Sequence, residues 1–448
     1  MKQELLSLKY WQQQFAALGM KQQGIIKNAV ASTMVRVAGM AATMLFSIFL
    51  GRTLGADGMG VINLSNRIVS LLLVVVLCGI PTTLIKNISI AFAKKDWLVV
   101  NNSMFTAKII TAVFSLFFLV LGMLISDWFC VEVFNEPRLR IPLIVALVSL
   151  LPQALSRVYG SGLNGFHKVW QSNLVDNTLA SFFVLLALLF MHLAGVEISI
   201  LNVAVVYAIS KVFVALLVSI YWRRIIRARV VERPQLQARQ MLRMSLPFFV
   251  SSAVSVIALN SDAVMIGWLS DSTQVGLYAA AINLALLISF FLNIANAVLN
   301  PHIASFYESG KVKELERMVQ QVTWVLSVLG GASLLLFVLL GQFILSLWGE
   351  EFKAAYAMLV ILACGQFVNV ATGCVGALLI MCGHEKVEAR ILLISLGANL
   401  VLNYFLIQQW AALGAAITTS VSLSVGMIFR VVYVKKKMGI SMWSLPKH

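Results

Sequence analysis

Between Ile391 and Phe429 the chain runs through 39 consecutive residues without one Asp, Glu, Lys or Arg. Drawn as a single helix at ~1.5 Å per residue, that run would be ~58 Å long, about twice the roughly 30 Å hydrocarbon core of a bilayer. It must turn back on itself, and the stretch Gln408 to Gly414 is where the turn is expected. Three further charge-free runs, Ser272 to Pro301, Met318 to Gly349 and Ala354 to Gly383, each exceed the ~20 residues that one crossing needs. With 448 residues at 60% hydrophobic and 12% charged, and a mean hydropathy of +0.90, a water-soluble globule is excluded.

The same reading along the chain gives spans near 28–50, 61–84, 106–126, 141–160, 174–194, 200–222, 245–269, 277–300, 319–346, 356–380, 390–408 and 414–434. The expected fold is an all-α integral membrane protein of about twelve transmembrane helices. Lys and Arg are retained on the cytoplasmic side of such proteins, and here they alternate. Twenty-seven fall on one side, from Lys2, Lys9, Lys21 and Lys27 through the rich stretch Arg223 to Arg243 to Arg430 and Lys435 to Lys437. Only Arg52, Arg138, Arg140 and Lys353 fall on the other. Both termini are therefore expected in the cytoplasm. This asymmetry accounts for the net charge of +16, with anionic membrane lipids rather than nucleic acid as its partners. Residues 1–27 lack the apolar core of a signal peptide and read as a cytoplasmic, interfacial segment. The five cysteines show no metal-ligand spacing and read as packing residues.

Slid against itself by about half its length, the chain repeats. Gly51 falls on Gly267 and Gly60 on Gly276, a shift of 216, and Gly165-Phe-His-Lys-Val169 falls on Gly383-His-Glu-Lys-Val387. A shift of six spans preserves orientation, so the halves form two lobes related by an axis along the membrane normal, as in transporters whose lobes rock about a central site. The expected organisation is an N-lobe over 28–222, a basic linker over 223–244, a C-lobe over 245–437 and a cytoplasmic tail over 438–448.

Polar residues within spans cost insertion energy and must face protein, water or cargo. Their spacing is helical. Ser32, Arg36, Gly39, Thr43 and Ser47 recur every three or four residues, as do Asn63, Arg67 and Ser70; Gln153, Arg157, Gly160 and Asn164; Ser289, Asn293, Asn296 and Asn300; and Ser395, Asn399 and Asn403. One such stripe can be glue between helices. Five together point to a shared hydrated cavity. The embedded cations Arg36, Arg67 and Lys211 outnumber the embedded carboxylates Asp176 and Asp262, and Arg157, near the cytoplasmic boundary, is a further candidate to meet an anionic headgroup. Guanidinium forks suit phosphate oxygens, which predicts an anionic cargo. Pairing with carboxylates or snorkelling to an interface is the structural alternative for each cation. Asp262 reads either as a cation-coupling group or as a lysine's partner.

The run Phe49-Leu-Gly-Arg-Thr-Leu-Gly-Ala-Asp-Gly-Met-Gly60, followed by Gly79-Ile-Pro81 and a basic loop, resembles the oligosaccharide flippases of the multidrug, oligosaccharidyl-lipid and polysaccharide exporter superfamily. A weaker echo runs from Gly267 to Tyr278. The resemblance implies two six-helix lobes forming a V in the bacterial inner membrane. It also implies export of a polyprenyl-pyrophosphate-linked oligosaccharide, such as an O-antigen unit, by alternating access. Lumen cations near Arg36, Arg67 and Lys211 would meet the pyrophosphate, and a polysaccharide polymerase and chain-length machinery would be partners. No cofactor is implied, and coupling to H+, Na+ or the membrane potential stays open. A multidrug antiporter of the same superfamily is the alternative, although its lumen is expected to be led by carboxylates. A membrane polymerase or acyltransferase would want a large external loop or a His and carboxylate constellation. The longest external loop here runs only from about Asp127 to Arg140, so no enzyme is expected.

Overall fold

The computed structural model describes residues 20–227 and 234–443, and among these there is no β-strand. The chain reads α1 (Met20–Leu77), α2 (Ile80–Ala93), α3 (Trp97–Trp128), α4 (Arg140–Val148), α5 (Leu150–Gly165), α6 (Val169–Asn173), α7 (Leu179–Leu193), α8 (Ile200–Ile226), α9 (Ala238–Leu269), α10 (Ser272–Glu308), α11 (Val312–Leu345), α12 (Tyr356–Ala371), α13 (Val375–Met381) and α14 (Glu385–Tyr433). Nine segments among the described residues are long and apolar enough to cross a membrane, and α6 with α7 forms a tenth, bent by 44°.

Two of these segments are broken rods. Helix α14 breaks at Trp410 and Ala411, inside the expected turn, where Ala411 takes φ 47°. The returning arm packs tightly enough that a Cβ on Gly414 would lie 2.2 Å from the carbonyl oxygen of Leu406. Helix α1 breaks at Gly55 alone, with φ 70° and ψ −176°, a conformation that glycine adopts without a Cβ penalty. The sequence suggested a loop over 51–60. In the structure helix continues on both sides of this single residue. Both breaks fall inside stretches where the sequence placed a turn.

Side-chain caps set several helix starts. Asp96 accepts from the Val99 amide at 3.1 Å, Ser199 from Asn202 at 3.2 Å and Asp271 from Gln274 at 2.8 Å, each satisfying a free N–H of a first turn. Helices α1 and α10 form the central pair, with 61% of the most apolar stretch of each buried, against 11% for α9. The peripheral helices turn large apolar side chains outward, among them Leu124, Phe190 and Ile394. That is the inverse of a soluble surface and matches a lipid solvent.

The linker is shorter than the sequence suggested. Helix α8 continues to Ile226 and α9 starts at Ala238, because apolar periodicity persists beneath the arginines. Arg229 and Arg233 lie outside the described residues, as do residues 1–19 of the N-terminal segment. The end of the linker is clasped by α3, where Asn102 accepts from the Gln235 amide at 2.8 Å and Thr106 from the Gln237 amide at 3.0 Å.

Arg430, counted above among topogenic charges, is a structural residue. It is buried, and its Nε and Nη2 donate to the two carboxylate oxygens of Glu388 at 2.7 and 2.8 Å, pinning the two arms of α14 together. Removing one partner of a buried pair strands the other charge, so Arg430→Ala is expected to destabilise the protein by about 3 kcal/mol. An Arg430→Met/Glu388→Leu double variant should recover much of that loss. The thermal midpoint of detergent-purified protein measures both.

Candidate functional site

The central helices are buried at one end and exposed at the other. On α1, Leu50, Ala56, Met59 and Val61 beside the break are buried, whereas Met34, Arg36 and Val37 are exposed. On α10, Val275 to Ala281 are buried, whereas Asn293 and Val298 are exposed. The central pair is therefore most deeply buried at the sparsely charged end and more exposed towards the basic end, where Gly79 still packs on the backbone of Ser245 and Phe249.

The α1 stripe divides its labour. Ser32 is buried and accepts from Asn173, Gly39 lies against Thr178, and Thr178 Oγ1 donates to the Val35 carbonyl at 3.0 Å. Thr43 donates to Gly39 O at 2.9 Å and meets Ser181 at 3.1 Å. These members fasten α1 to α6 and α7. Arg36 differs. It is exposed, and its guanidinium reaches Asn173 Oδ1 only at 3.4 Å.

Between α6 and α7 the chain widens into a π-turn, Leu174–Thr178, a feature frequent at functional sites. It aims Asp176 at Arg157, with Nε and Oδ1 3.9 Å apart, too long for a hydrogen bond. Asp176 Oδ1 is buried and accepts none. Asn173 and Asp176 are three residues apart and so share a helix face, with Arg36 engaging one and Arg157 the other. Arg157 is thus the guanidinium facing Asp176, while Arg36 reaches the neighbouring Asn173.

At the lobe interface Arg67 Nη1 donates to Leu259 O and Asn260 Oδ1, both at 3.2 Å, bridging the second arm of α1 to α9. Asn63 spends its amide on Met59 O at 2.9 Å. Lys211 places its ammonium 4.9 Å from the centroid of Tyr207, one turn earlier on α8, and Tyr207 stacks on Phe46. Among the described residues Lys211 makes no ion pair, so its charge is stabilised by a ring face. Asn293 is exposed, and Asn296 is half-buried with an Oδ1 that accepts no hydrogen bond.

Asp262 lies in the C-lobe, 7% exposed. Its Oδ1 accepts from Asn403 Nδ2 at 2.7 Å, and its Oδ2 from Tyr278 OH and Thr419 Oγ1, both at 2.7 Å. Asn399, also buried, accepts from Asn403 at 3.2 Å, and Asn403 Oδ1 has no donor. Among the described residues no lysine or arginine forms a salt bridge with Asp262, so three neutral donors hold this carboxylate. Carboxylate, amide and hydroxyl oxygens converge there, a donor set that suits a proton or a hard cation. Tyr278 and Thr419 escaped the sequence reading, since they lie 16 and 157 residues from Asp262 and share no pattern with it.

A family model described as polysaccharide biosynthesis protein matches residues 25–307, and a second, MatE, matches residues 247–405. The capsular polysaccharide biosynthesis protein CapF of Staphylococcus aureus is 24% identical over 199 residues, 44% of this chain and 50% of CapF. The match thus spans about half the length of that relative. An inward-facing multidrug resistance MATE transporter superposes with a TM-score of 0.72 at 13% identity, over 92% of this chain and 98% of the other. The lipid II flippase MurJ in an inward closed conformation superposes with a TM-score of 0.68 at 13% identity, over 92% and 87%. At such identities the likeness concerns the fold, and that one fold carries a drug transporter and a lipid flippase alike.

Proposed function

The chain belongs to the polysaccharide biosynthesis protein family, and from that premise we propose that it is a multi-pass membrane transporter, not an enzyme, that flips a polyprenyl-pyrophosphate-linked oligosaccharide from the cytoplasmic to the outer leaflet of a bacterial inner membrane. The observation that carries this reading is Arg36, a guanidinium exposed on a polar stripe whose other members are spent on helix contacts. Together with Arg157 it offers paired forks to a diphosphate, whose passage through hydrocarbon would otherwise cost many kcal/mol. The polyprenyl tail stays in lipid while the headgroup enters between the lobes from the basic, cytoplasmic side. Rocking then opens the cavity outward.

Asp262 is the proposed coupling site, where H+ or Na+ binding would neutralise the buried carboxylate, and Asp176 is the second candidate. The buried Asp262 and the shared fold favour a multidrug antiporter as a second reading. The excess of embedded cations weighs against it, because a cationic drug would be repelled. The test is genetic. In cells lacking this protein, lipid-linked repeat units should accumulate on the cytoplasmic leaflet, with a polymerase and chain-length machinery starved of substrate. Normal surface glycan combined with new drug sensitivity would replace the flippase reading with the antiporter.

A further inference from the structure

We propose that the sparsely charged end of the molecule carries a duplicated latch, in which residues one internal repeat apart exchange contacts across the lobe interface, and that this latch holds the cavity shut towards the outer leaflet. The inference rests on the alternating-access reading above and assigns the groups that enforce one of its two states.

The first half of the latch is a backbone crossing. A Cβ built on Gly60 would fall 1.7 Å from the carbonyl oxygen of Ser272, and one built on Gly276 would fall 1.9 Å from that of Ala56. Gly60 and Gly276 are 216 residues apart, and so are Ala56 and Ser272. The second arm of α1 and the start of α10 thus cross with each glycine receiving the other helix's carbonyl. Both obstacles are backbone, so no rotamer change can relieve a side chain there, and the lobes would have to separate.

The second half is a pair of carboxylates, Glu136 and Glu351, 215 residues apart. Glu351 Oε1 accepts from the Ala56 amide at 2.7 Å, and Glu136 Oε2 accepts from Ser272 Oγ at 3.1 Å. Each lobe therefore places a glutamate at the start of the other lobe's second crossing, where free N–H groups favour negative charge. Arg138 forks Asp57 and Glu136 together, and Ser272 Oγ also meets Asp57. A wedge without a repeat counterpart completes the seal. Trp348 is fully buried, donates to Ser47 Oγ at 3.0 Å and fills the notch at Gly51, while Arg52 Nε donates to Leu347 O at 2.7 Å.

At Glu136 the latch is not a proton switch in the ordinary range. Hydrogen bonds from Arg138 hold the Glu136 carboxyl below the usual carboxylate range. Its stabilising contribution is thus complete above about pH 4.3, the unperturbed glutamate value, and is lost only as pH falls through the lowered one.

The test reads conformation without cargo. In a variant with its native cysteines replaced, a single Asn293→Cys on the polar face of α10 is exposed to a membrane-impermeant maleimide from outside intact cells. Gly60→Ala and Gly276→Ala should each raise its labelling by about tenfold or more, whereas Gly397→Ala, with no atom near its added Cβ, should leave it at the parental level. Parental labelling in both glycine variants, at parental amounts in the membrane, overturns the proposal. Should neither glycine variant accumulate, Glu136→Gln/Glu351→Gln decides in their place, a rise supporting the latch and parental labelling overturning it. Because no substrate enters the readout, failure of the flippase assignment would leave this result intact.

Discussion

Replacing Arg36 with alanine is expected to lower surface-glycan export by about tenfold to a hundredfold, the kinetic equivalent of one charge-assisted hydrogen bond at about 1.5–3 kcal/mol. The protein should reach the membrane in parental amounts. Arg36 is exposed and its contact with Asn173 is long, so its removal strands no buried partner. Arg67 makes a less clean experiment, since its loss would leave Leu259 O and Asn260 Oδ1 without their donor at the lobe interface. Arg36→Lys keeps the charge but loses the planar fork and should fall between parent and alanine variant. Export is read as surface glycan per cell, with membrane content from a tag. Unchanged export in the alanine variant would remove Arg36 from the site.

What the sequence could reveal follows the range of the interactions concerned. The reversal at Ala411 was legible because an apolar run of 39 residues cannot span a bilayer once. The stripe through Arg36 was legible because helical periodicity is local. Its partners were not, since Asn173 and Ser181 approach Ser32 and Thr43 from helices about 140 residues away. Gly60 and Gly276 appeared as a repeat, yet that each receives the other's helix emerges only from the packing of α1 on α10. The ring beneath Lys211 was within reach of sequence reasoning, because Tyr207 precedes it by one helical turn. The loop over 51–60 was overestimated, since one glycine in a left-handed conformation does the work of ten residues.

Substituting Asp262 with asparagine should uncouple transport from the ion gradient proposed to drive it. Three donors converge on this carboxylate, and an amide there presents an NH2 group to at least one of them, so a stability loss of about 1–3 kcal/mol is expected. A structural role alone predicts no more than that. Tyr278→Phe supplies the comparison, because it removes one donor and leaves the ionisable group in place. It should cost about 1 kcal/mol and keep the response to an imposed ion gradient. Asp262→Asn should abolish that response. The measurement is headgroup translocation in proteoliposomes under outward and inward Na+ and pH gradients, alongside the thermal midpoints of both variants. A gradient response surviving in Asp262→Asn would make the Asp262 cluster a packing pin. Coupling would then fall to Asp176, the other embedded carboxylate, which faces Arg157 across 3.9 Å with one oxygen unbonded and could release that arginine to a diphosphate on protonation.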